Sequence, residues 1–172
     1  MLKVVVINGS AECGKDEFIQ FIQSKWDNYH IINASTIDPS KAALKILGWD
    51  GVTKNKETRQ AMVDLKRISM KLFNGPFLNI IELINFYEKQ YNGQDRGIYF
   101  IHCREPEEIQ KFVDYYKESC ITLLIRSHRG KALKNGSDDV VENYDYDHTI
   151  DNNGSLEELE QKAILFANNN LI

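Results

Sequence analysis

Apolar residues fall along this chain in two patterns. Some form short unbroken runs: Val4 to Ile7, the segment Gly97 to His102 (GIYFIH), and Ile121 to Ile125. Runs of this length without alternation suit strands covered on both faces, as in a parallel sheet. Asn28 to Ala34 (NYHIINA) and His148 to Asp151 (HTID) read as two further short strands. Between the runs, apolar residues recur every three or four positions, the period of a helix with one buried face. Phe18, Ile19 and Ile22 follow the first run. Asp38-Pro39 opens the next helix, with Asp as N-cap and Pro in the first turn. That helix carries Ala42, Ala43, Ile46 and Leu47 and stops near Gly48. After a polar loop at 51–56, Ala61, Leu65, Ile68 and Leu72 form one predicted buried stripe, with Lys56, Arg59 and Lys66 on a different, solvated face. Asn74-Gly75-Pro76 interrupts the pattern. The helix expected from Phe77 to Tyr91 has Leu78, Ile81, Ile84 and Phe86 among its apolar positions and is closed by Asn92-Gly93. Arg104-Glu105-Pro106 begins another, burying Ile109, Phe112, Val113 and Tyr116. The last helix opens on a capping box, Ser155 to Glu158, and carries Leu156, Leu159, Ala163 and Phe166.

Strands therefore alternate with helices. That order predicts an α/β fold of three layers, with a five-stranded parallel sheet between helices. The 172 residues suffice for one domain with a real core, and no repeat or domain-scale linker divides them. A net charge of −4 argues against broad nucleic-acid binding. No apolar run approaches the roughly 20 residues of a membrane span. The first strand runs straight into a loop, unlike a signal peptide. Cys13, Cys103 and Cys120 are sparse and unpatterned, which suits a reducing cytoplasm better than a disulfide framework. His30, His102, His128 and His148 lack the paired spacing of a metal hydrolase.

The chemistry concentrates at Leu2 to Ile22. An apolar strand turns through Gly9-Ser10-Ala11-Glu12-Cys13-Gly14-Lys15-Asp16-Glu17 and enters a helix. Strand, glycine-bounded loop, lysine and helix is the arrangement of a phosphate-binding P-loop. The first amides of a helix have no intrahelical partner, so they point at an anion. Gly9 and Gly14 permit angles and approaches that a side chain forbids. Lys15 adds a mobile point charge. Asp16 stands where Ser or Thr is usual. A second unusual stretch, 126–147, holds Arg126, His128, Arg129, Lys131 and Lys134, then Gly136 and a run of acids and tyrosines. So long a polar excursion inside a compact domain is usually functional or disordered.

GSAECGKD, the basic helix after the second strand, HCREPEEI, and IDNNGSLEEL together resemble the nucleoside monophosphate kinase-like P-loop kinases, and within them the deoxynucleoside monophosphate kinases of phage and bacterial type. Asp after the P-loop lysine is a mark of that subgroup and of the animal-type phosphomevalonate kinases. The resemblance covers most of the chain by order of elements. It implies an adenylate kinase-like P-loop NTPase fold, with a helical acceptor-binding insert at 38–92 and a lid at 126–147. It further implies that Gly9 to Asp16, with Glu17, hold the phosphates of ATP, and that Asn152 and Asn153 pass the donor base. Lys15, Asp16, Arg126 and Arg129 would be the catalytic group, Arg59, Lys56 and Arg104 would bind the phosphorylated acceptor, and Asp16 would order Mg2+. Glu108 loosely matches the acid of the family's third-strand motif. The family has Asp at the start of that motif, where this chain has His102. An imidazole is a poor replacement for a carboxylate on magnesium.

The implied activity is ATP-dependent phosphoryl transfer to a (deoxy)nucleoside monophosphate, with small molecules rather than nucleic acid or membrane as partners. A homodimer is left open. Two rivals stand beside it: a kinase for another acceptor of the phosphomevalonate or dephospho-coenzyme A type, and a nucleotide-binding module without transfer activity, suggested by His102. A GTPase is disfavoured, because Asn55-Lys56-Glu57-Thr58 lacks the acid of a guanine-reading N-K-x-D.

Overall fold

The computed structural model describes residues 2–91, 96–128 and 141–172. Five strands, β1 (Leu2–Asn8), β2 (Tyr29–Ser35), β3 (Arg96–His102), β4 (Cys120–Arg126) and β5 (His148–Asp151), form one sheet in the order β2-β3-β1-β4-β5. The pairings of β1 with β3, β1 with β4 and β4 with β5 are parallel. Among the described residues six α-helices accompany them: α1 (Lys15–Lys25), α2 (Asp38–Ile46), α3 (Lys56–Phe73), α4 (Gly75–Gln90), α5 (Pro106–Tyr116) and α6 (Leu156–Asn170). The five-stranded parallel α/β architecture expected from the alternating pattern is the one observed.

The unbroken apolar runs are the central strands. Because side chains alternate across a strand, each run supplies two faces at once. Val5 and Ile7, Ile98 and Phe100, and Leu123 and Ile125 meet Phe18, Ile19 and Ile22 of α1 and Leu159, Ala163, Phe166 and Ala167 of α6 in one buried cluster. Phe18 and Phe166 tilt against each other there, their ring centroids 5.7 Å apart. On the opposite side α5 packs against β1 and β4 through Ile109 and Phe112. The serine half of the expected capping box forms: the Ser155 hydroxyl accepts from the Glu158 amide and starts α6. The Asp147 carboxylate accepts from both the amide and the hydroxyl of Thr122, tying the entry of β5 to β4.

Contacts divide the chain into two compact units, residues 1–33 with 91–172, and residues 34–90. The second contains α2, α3 and α4, with α3 packed on both other helices. Here several expectations are corrected. Asp38 is the first residue of α2 rather than its cap, and it accepts from the Ser35 amide. Ile46 and Leu47 do not form a buried face; they are 87% and 74% exposed. The buried stripe of α3 runs through Met62 and Lys66, while Ile68 and Leu72 are exposed. The face is turned by one residue because the Lys66 stem packs as a hydrocarbon and its ammonium reaches the Thr36 hydroxyl at 2.9 Å. A reading by side-chain polarity therefore put Lys66 on the wrong face. In α4, Pro76, Ile80, Ile81 and Ile84 are buried, and Leu78 and Phe86 are exposed. Asn74, in the left-handed region at φ 51°, ends α3, and α4 follows directly at Gly75. The expected stop at Asn92-Gly93 lies outside the described residues, as do 129–140 of the expected lid. No helix among the described residues is long and apolar enough to cross a membrane.

Candidate functional site

The sheet order determines where a ligand can enter. The chain leaves β1 toward β2 on one side and leaves β4 toward β5 on the other. The carboxyl ends of β1 and β4 thus flank the point where the connections diverge, the usual ligand crevice of an open α/β sheet. A cleft of about 230 Å³ opens there, lined by Ser10 on one side and by Ile125, Arg126, Ser127, His128 and Glu142.

The loop after β1 is pressed tightly into place. Gly9 has φ +147°, and a Cβ on it would run into the Ile125 carbonyl and lie 2.6 Å from the Cys13 sulfur. Gly14, at φ +97°, leads into α1, and a Cβ there would strike the Asn152 amide and lie 3.2 Å from Leu159 Cδ2. Glu12, exposed at the loop tip, also takes a left-handed conformation at φ 61°. Cys13 is fully buried, so it serves as a packing residue under the loop. Among the described residues, no side chain caps α1 at its Gly14 start. The positive end of its dipole and its first amides are thereby left for an anion. Lys15 folds back over the loop. Its ammonium donates to the Gly9 and Ser10 carbonyls, both at 2.8 Å, and lies 3.4 Å from Cys13 Sγ.

Asn152 and Asn153 act locally as braces. The Asn152 side chain donates to the Cys13 carbonyl at 2.9 Å, and its amide donates to the Arg126 carbonyl at 2.7 Å. Asn153 Oδ1 accepts from the His128 amide at 2.9 Å. The turn after β5 is thereby bound to both the loop and the end of β4.

Asp16, in the first turn of α1, is largely exposed. Its Oδ1 lies 3.6 Å from His102 Nε2 and 3.4 Å from Asn33 Nδ2. Glu17 beside it is exposed. Arg104 follows the end of β3, and its carbonyl accepts from Asn8. Arg126 is the last residue of β4; Glu142 accepts from it at two points, 3.0 and 2.6 Å, and Asp151 lies at 3.8 Å. That pairing raises the pKa of Arg126 and lowers that of Glu142. Arg129 lies outside the described residues. Lys56 and Arg59 belong to the helical unit: Lys56 is the exposed first residue of α3, and Arg59 donates from Nε to the Lys54 carbonyl at 3.2 Å.

The residue that sequence reasoning missed is Asn8. It is 1% exposed at the end of β1, a polar residue closing a run of buried apolar ones. Its Oδ1 accepts from the Gly9 amide at 2.8 Å. Its Nδ2 donates to Tyr146 Oη at 2.6 Å and to the Arg104 carbonyl at 3.2 Å. Tyr146 in turn donates to the Val141 carbonyl at 2.8 Å. Burial, opposed by the Asn8 hydrogen bond, pushes the Tyr146 phenol up to about 12. It is a neutral donor at ordinary pH. One asparagine thus links the start of the loop to the segments after β3 and before β5. A polar residue beside the loop glycine was the available signal.

No family model and no curated protein matches the chain. Solved structures match along nearly all of it. A sugar kinase from Janibacter sp. HTCC2649 is similar at 11% identity and TM-score 0.53, covering 98% of this chain and 95% of that one. The tunicamycin resistance protein of Deinococcus radiodurans is similar at 12% identity and TM-score 0.51, with coverage of 98% and 95%. At such identities the likeness is one of fold alone, an α/β arrangement around a five-stranded parallel sheet.

Proposed function

We propose that this chain is an ATP-dependent phosphotransferase whose acceptor is a nucleoside monophosphate, specifically a deoxynucleotide. The observation that carries the reading is the Gly9–Lys15 loop at the divergence of β1 and β4, with an uncapped helix start behind it and the Lys15 ammonium held over it by two carbonyls. An ammonium has three donors. Two are committed to the loop, so the third can turn from the Cys13 sulfur to a phosphate oxygen. The backbone amides would take the remaining charge of the phosphate chain. Phosphoryl transfer needs little else from a protein beyond alignment and positive charge around the migrating group. Lys15, Arg104 and Arg126 would supply that charge from the sheet edge, with Arg129 from the segment after β4. Lys56 and Arg59 of the helical unit would hold the acceptor, and 126–147 would close over the phosphates and exclude water.

Magnesium typically takes one or two carboxylates together with substrate phosphates and water. The exposed Asp16 carboxylate at the start of α1 fits that donor set; His102 does not. Bound there with the nucleotide, the ion would neutralise charge on the phosphates. Asp16 itself would orient it, and Asn33 beside it would orient Asp16.

His102 next to Asp16 favours a second reading, a nucleotide-binding module without transfer activity. A panel of nucleoside and deoxynucleoside monophosphates with ATP, read as ADP formed, separates the two. Turnover with one monophosphate supports the kinase. ATP binding without ADP from any acceptor, phosphomevalonate and dephospho-coenzyme A included, supports the module.

A further inference from the structure

Among the described residues, Glu142 is the one acid lining the cleft beside Ser10. Its oxygens accept from Arg126 Nε at 3.0 Å and Nη2 at 2.6 Å. This is the two-point grip with which a guanidinium also takes a phosphate. The backbone that presents Glu142 is anchored. Val141 is 4% exposed, and its carbonyl accepts from Tyr146, which is itself bound by Asn8 of β1. Asp151 flanks the same guanidinium at 3.8 Å. Arg126 thus already holds an oxyanion, supplied by its own chain.

We propose that Glu142 is an internal occupant of an oxyanion subsite at Arg126, and that a phosphate chain entering the cleft displaces it. The proposal rests on the reading of the Gly9–Lys15 loop as a phosphate site. Its consequence is selection by charge. A small anion that can reach only Arg126 exchanges one carboxylate for another oxyanion and gains little. A polyphosphate that also engages the loop amides and Lys15 gains enough to displace Glu142. Glu142 therefore sets a threshold that a single phosphate, with no further contacts to offset it, does not pass.

The test titrates inorganic tripolyphosphate and orthophosphate by calorimetry into the full chain and into Glu142→Gln, Arg126→Gln and the double variant. Asp145→Asn, which removes an exposed acid three positions on, is the control for net charge. Exposed ion pairs are weak, so Glu142→Gln should tighten tripolyphosphate binding by about two- to five-fold. Orthophosphate should tighten by at least as much. The gain should vanish on the Arg126→Gln background and be absent in Asp145→Asn. Unchanged or weaker binding in Glu142→Gln overturns the proposal and leaves the loop reading intact. So does a gain that persists without Arg126 or appears equally in Asp145→Asn, because it would reflect net charge alone. A parent chain that binds no tripolyphosphate overturns both the proposal and the loop reading.

Discussion

Replacing Asn8 with Ala should loosen the Gly9–Lys15 loop from behind without touching any group proposed to meet a ligand. The magnitude follows from its three hydrogen bonds. The Gly9 amide loses its acceptor in a buried position, which costs about 1–3 kcal/mol for an unsatisfied donor. The bonds to Tyr146 and the Arg104 carbonyl are worth about 0.5–1.5 kcal/mol each when neutral. Both are only partly buried, so water recovers some of that. The net loss should be about 2–4 kcal/mol, a sizeable fraction of the roughly 5–15 kcal/mol by which domains are stable. In a chain of this size it lowers Tm by about 4–16 °C. Urea denaturation of the parent, Asn8→Ala, Tyr146→Phe and the double variant gives a coupling energy, expected at about 0.5–3 kcal/mol for residues in direct contact. Nucleotide affinity should fall in Asn8→Ala and less in Tyr146→Phe, because only the former frees the Gly9 amide. Additive effects, or an Asn8→Ala loss under about 1 kcal/mol with nucleotide affinity unchanged, would refute the reasoning.

Three further outcomes follow from the same geometry. Nucleotide affinity should depend strongly on magnesium, and Asp16→Ala should relax that dependence while lowering turnover; equal affinity with and without the ion removes the role given to Asp16. Gly14→Ala should cost about 1–3 kcal/mol of stability through its left-handed backbone and should impair nucleotide binding further by pushing Asn152 off the loop, which a denaturation curve and a titration measure separately. Stability should decline at alkaline pH. Burial raises Cys120 from 9.0 to about 12, with the nearby Asp147 adding to it, and raises Tyr146 from 10.0 to about 12. The unfolded chain then releases these protons first, so their contribution is whole below about pH 9 and is lost as pH rises toward 12. Cys120→Ser and Tyr146→Phe should each flatten that decline in urea denaturation across the range, and a parent chain with flat stability there would contradict the assignment.

What could be read from the chain alone was whatever local physics dictates. The apolar runs of β1, β3 and β4, the glycines at 9 and 14, and the Ser155 cap each express a constraint that acts within a few residues, and each lies where the pattern put it. Alternating elements then left few topologies, and the five-stranded parallel sheet followed. The faces of α2 and α3 were not legible. Burial there depends on which neighbour a helix meets, and a lysine stem can pack as a hydrocarbon while Ile46 and Leu47 stay exposed. In the candidate site, the glycine-bounded turn after β1 lies where the pattern put it, but its supports could not be read from the sequence. Asn8 and Tyr146 stand 138 positions apart, Asn152 and Cys13 139 apart, and Arg126 meets Glu142 across a polar stretch with no periodicity. A hydrogen bond between distant residues leaves no spacing in a single sequence. Only strand order and register bring the two ends together, so the partners of the loop were decided by the tertiary fold.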